Sequence, residues 1–161
     1  MCDYSNDDLK QLLSVHSEFE YLTLSIQKTS QMHNEISVLM KTVTNKNLLF
    51  FLSLFNKVLV KEQSEYEEHL KQHSSTETFE FPKIFSFATA ENDEQNLANF
   101  VSQYDTYITV CDILVESYKS SDSFKEEIIK IHEMASEATI IDRLNNLEIT
   151  NEPAPPEPTP P

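Results

Sequence analysis

"LLSVHSEFEYLTLSIQKTSQMHNEISVLMKTV", residues 12–43, decides the fold. Leu12, Val15, Phe19, Leu22, Ile26, Thr29, His33, Ile36, Met40 and Val43 step by three and four residues in alternation. That spacing lays one stripe along a helix, with the period of a coiled-coil seam. It predicts a single first helix over 7–44, about 55 Å long. Thr29 and His33 interrupt the stripe as a polar layer, a device that sets register or partner choice.

Outward from this stretch, "TNKN" at 44–47 supplies turn and capping residues without glycine. A second helix is predicted over 47–73. Its first half, "LLFFLSLFNKVLV" (48–60), is apolar nearly all round, and its second half is charged. Residues 74–93 alternate apolar and polar in "TFEF" and "IFSF", and Pro82 rules out a continuous helix. Phe79, Phe81, Phe85 and Phe87 are expected to pack this link across the bundle. A third helix starts at Asn92 or Asp93, with Gln95 completing a capping pair. A fourth starts from Ser123, with Glu126 three residues later as its capping box, and runs to about Ile149. The fold class is therefore all-α. It is a bundle of about four helices over 1–149, with a long coiled-coil-like first helix. "TNEPAPPEPTPP" (150–161) is expected to be a disordered, acidic, proline-rich tail.

The charge balance is 12 Lys plus Arg against 27 Asp plus Glu, a formal net charge of -15. Nucleic-acid binding needs a basic stripe, so it is not expected, and neither is attraction to anionic membranes. Glycine is absent. Phosphate loops, dinucleotide fingerprints and nucleophile elbows depend on glycine for tight turns and close backbone approach, so those enzyme classes recede. Cys2 and Cys111 make no disulfide framework or zinc motif. No signal peptide is visible at the N-terminus, and no run is apolar enough to span a bilayer. An intracellular location, cytoplasmic or nuclear, is the expectation.

"EYEEHLKQH" (65–73) raises the question of a metal. Glu65, His69 and His73 recur every four residues and stack on one helix face. In a hairpin folded near residue 45 they lie opposite His16 and Glu20, giving five candidate ligands of the type that helical bundles use. Yet the Glu-x-x-His pairing of di-iron bundles is missing, and a solvated charged face explains the stretch as well. No metal or cofactor is therefore assigned.

The function expected is non-enzymatic. The chain is read as a helical assembly or scaffold subunit, making coiled-coil or bundle contacts with itself or with other helical proteins. Leu12, Val15, Phe19, Leu22 and Ile26 of the first seam are the expected contact residues. Two other readings compete: a ferritin-like metal-binding bundle, and a histidine phosphotransfer module built on "IHEMASEA" around His132.

Overall fold

Ser17 divides what the seam alone makes one helix. In the computed structural model, which describes residues 4–133, its side chain accepts a hydrogen bond from the Glu20 N–H and starts a new helix there. The Glu20 carboxylate reaches back to the His16 N–H at 2.9 Å, so two N–H groups at the new terminus are satisfied. The described residues form five helices: α1 (Asn6–Leu12), α2 (Glu18–Met40), α3 (Lys46–Leu70), α4 (Asp93–Lys119) and α5 (Glu126–His132). The predicted long first helix is thus α1 and α2, separated at 13–17. The break turns Leu13 and Val15 into the core, and the Val15 N–H donates to Ser117 Oγ on α4. A continuous helix would hold neither contact in this way.

Three long helices form the body. Ser37 meets Asn56, Lys28 meets Glu62 and Glu18 meets His73, so α2 and α3 run antiparallel from a turn at 41–45. Thr44 meets Asp93, Lys28 meets Cys111 and Val15 meets Ser117, so α4 also runs antiparallel to α2. The helix starts follow their caps. Asn45 Oδ1 accepts from the Asn47 and Leu48 N–H groups, and Asn92 Oδ1 accepts from that of Gln95. Asp93 ties the turn to α4 by accepting from both N–H groups of Thr44 and Asn45 and from the Thr44 hydroxyl. Burial opposes ionisation of this carboxyl, but these bonds prevail and hold it below its ordinary value.

Ser123 does not cap the last helix. Its carbonyl accepts from the Tyr118 hydroxyl, Lys125 occupies the cap position without a side-chain bond, and α5 begins at Glu126. The rest of that predicted helix, and the proline-rich tail, lie outside the described residues.

The link at 74–92 is a strap whose backbone hydrogen bonds go to helix side chains. Gln27, Gln31 and Glu35 stand one turn apart on α2 and act as a substitute for a neighbouring strand. Gln27 bonds the Phe79 carbonyl and the Phe81 N–H. Gln31 bonds the Pro82 carbonyl and the Ile84 and Phe85 N–H groups. Glu35 takes the Phe87 N–H. Phe81, Phe85 and Phe87 are buried beneath the strap and Phe79 is half-buried, as the alternation predicts. Gln31→Ala removes the partners of two N–H groups and one carbonyl at once. It is expected to cost about 2 kcal/mol, a fall in melting temperature of roughly 6 °C. A melt unchanged within error would mean that the phenyl rings alone hold the strap.

Candidate functional site

The most polar spot in the interior lies where α2, α3 and α4 meet. Lys28 and Glu62, 1% and 0% exposed, form an ion pair with Nζ–Oε2 at 3.0 Å. The other carboxylate oxygen accepts from the Tyr107 hydroxyl at 2.8 Å. Lys28 Nζ also donates to Cys111 Sγ at 3.2 Å and lies 5.0 Å and 5.4 Å from the ring centres of Tyr107 and Tyr66. Burial by itself would pull the ammonium down, but Cys111 and Glu62 push the other way and hold Lys28 above its ordinary value. Burial pushes the Cys111 thiol up to about 12, which keeps it protonated and unreactive at neutral pH. Tyr66 and Tyr107 are likewise raised well above the ordinary phenol value, chiefly by burial. No reactant reaches these atoms without opening the bundle. What the arrangement does is pin three helices to one register, since each supplies a partner the others cannot replace.

The seam pattern ran past this cluster. Tyr21, Ser25, Lys28 and Met32 form a row on α2, and Phe55, Leu59, Glu62 and Tyr66 form one on α3. Opposite charges at matching depth in two such rows are the signal that points to the pair. Of the expected polar layer, Thr29 is fully buried and bonds the Ser25 carbonyl, while His33 sits at the half-buried edge of α2.

The five candidate ligands do not converge. His16 and Glu65 are exposed, Glu20 serves the α2 terminus, and His69 is half-buried. His73 instead pairs with the buried Glu18 and packs on Phe19, whose ring centre is 5.8 Å away. Tyr118 and Lys125 also address Glu18. Among the described residues, no three His, Cys, Asp or Glu side chains are grouped to hold a metal ion. His132 is buried and faces Asp112 of α4, whereas phosphotransfer requires an imidazole that a second protein can approach.

The five expected contact residues also part company. Val15 and Leu22 are buried in the chain's own core, Phe19 and Ile26 are half-buried, and Leu12 is exposed. A different apolar surface stays uncovered, on α3. Phe50 is 61% exposed and Val60 49% exposed. Lys46, Phe50, Ser53, Lys57, Val60 and Lys61 recur at helical spacing and share the side of α3 turned away from its buried row. Beside them, a groove of about 280 Å³ between α2 and α3 is lined by His33, Met40, Ser53, Asn56, Lys57 and Val60. Asn56 is 8% exposed. Its amide N–H₂ donates to Ser37 and Met40, while its Oδ1 and the His33 Nδ1 have no hydrogen-bond partner among the described residues. Ser25 Oγ, in the sealed core, also lacks a partner among the described residues; Asn56 Oδ1 and His33 Nδ1 differ in belonging to residues that line a groove.

A larger groove, about 460 Å³, separates α1 from α4 and reaches Asp112, beside the end of the described chain. No described helix is long and apolar enough to cross a membrane. Compared with protein-family models, curated proteins and solved structures, this chain matches none.

Proposed function

We propose that this protein is a non-enzymatic helical assembly subunit, and that it engages its partner through the outward face of α3. One observation carries the reading: Phe50 and Val60 lie exposed on a single helix face in a bundle whose other large apolar side chains are mostly covered. Scattered exposed apolar residues are ordinary. Phe50 and Val60, about 15 Å apart along α3, support a contact surface because they share one side of the helix beside a groove with an unsatisfied amide. The polar centre supports the same reading. It locks the helices to one another, so the face they present is rigid and ordering it costs little on binding.

The test is a photoreactive side chain placed at position 50 of the full chain and activated in native extract. A discrete adduct is expected, lost with Val60→Glu and absent when the probe stands at position 102 on α4, an exposed site remote from α3. No adduct from position 50, or the same adducts from both positions, would overturn the reading.

A further inference from the structure

The charge on this face differs from that of the rest of the chain. Residues 36–61 contain none of the 27 acidic residues and four of the 12 basic ones, Lys41, Lys46, Lys57 and Lys61. All four lysines are exposed, and none forms an ion pair among the described residues. In a protein of net charge -15, a stretch of 26 residues carrying only positive charge is a segregated feature. It ends at Lys61, since Glu65 and Glu68 lie exposed on the next turns of α3. From Lys46 to Lys61 it extends about 22 Å along α3, the length of a short docked helix.

We infer that the partner is an acidic amphipathic helix of another protein. Its apolar side meets Phe50 and Val60, its carboxylates meet Lys46, Lys57 and Lys61, and a donor it carries reaches Asn56 Oδ1 in the groove. This inference rests on the assembly reading above and adds the chemistry of the partner. A second copy docking symmetrically would bring lysines against lysines, which disfavours that contact. An anionic bilayer would attract the lysines, but it would also face the surplus negative charge of the whole chain and has no donor shaped for a recessed amide. Complementary charge gives a helix partner both register and fast association.

The probe is an amphipathic peptide of about 20 residues with leucines on one face and glutamates on the other, compared with the same peptide carrying lysines for glutamates. Binding to the full chain is read by fluorescence anisotropy. The acidic peptide is expected to bind and the basic one not. Added salt should weaken binding several-fold, and the variant K46E/K57E/K61E should weaken it about tenfold or more. All three positions are exposed, and a glutamate at the first residue of α3 suits the helix dipole, so an unchanged circular dichroism melt certifies the fold.

Failure of the acidic peptide to bind, or equal binding of both peptides, would overturn the inference. So would preferential binding to vesicles of anionic phospholipid, self-association lost in the triple variant, or an internal crosslink from position 50 to residues beyond 133. An extract adduct at position 50 that Val60→Glu abolishes but the triple lysine variant leaves intact would defeat the acidic partner while sparing the assembly reading. Absence of any adduct would defeat both.

Discussion

Lys28→Met is expected to destabilise the protein by about 3–5 kcal/mol, the usual effect of leaving one member of a buried ion pair without its partner. Glu62 is fully buried, and its only other partner among the described residues is the Tyr107 hydroxyl. Methionine fills the space of the lysine stem but offers nothing to the carboxylate. Lys28→Met with Glu62→Leu removes both charges, and replacing a buried pair with apolar side chains of similar volume is often neutral or better. The double variant should therefore recover most of the loss. Urea denaturation at neutral pH measures both, and an unchanged slope confirms that the same surface unfolds. A single variant within about 1 kcal/mol of wild type would show that the ion pair does not hold the bundle's centre.

Phe100→Ala should cost about 3–5 kcal/mol. Phe100 is fully buried, with its ring centre 5.6 Å from that of Phe51, 5.7 Å from Phe55, 6.3 Å from Phe87 and 5.9 Å from Tyr104. It therefore joins α3, α4 and the strap. Removing it opens a cavity that three elements cannot close together. Phe50→Ala, in the same protein, should change stability by no more than about 0.5 kcal/mol, because most of its side chain is exposed. The contrast separates a phenylalanine that holds the fold from one available to a partner. Equal losses at the two positions would mean that Phe50 is covered by the chain itself.

The turn near residue 45 and the caps at Asn45 and Asn92 were legible because apolar periodicity and capping chemistry agreed there. At Ser17 they disagreed. Ser17 and Glu20 have the same spacing as Ser123 and Glu126, but the heptad steps run through the first pair, and only the first pair caps a helix. Tertiary contacts decided both cases: Ser117 holds the Val15 backbone, and Tyr118 holds the Ser123 carbonyl. The alternation in 79–87 announced extended backbone but not its partner, since a strand pattern does not reveal that glutamines on a helix will serve as its neighbour. Lys28 and Glu62 escaped a reading that counted apolar residues. The exposed face of α3 escaped because 48–60 is apolar nearly all round, and only Ser53, Lys57 and the groove-lining Asn56 mark the side that remains outside.

The most direct test of α3 as the contact surface is lysine footprinting, with an amine-acylating reagent applied to the chain in native extract and to the purified chain. Reactivity at Lys46, Lys57 and Lys61 is predicted to fall several-fold in the extract, while Lys10 of α1 and Lys119 of α4, exposed on other helices, label equally in both. Equal labelling of all five lysines in the two samples would contradict the account.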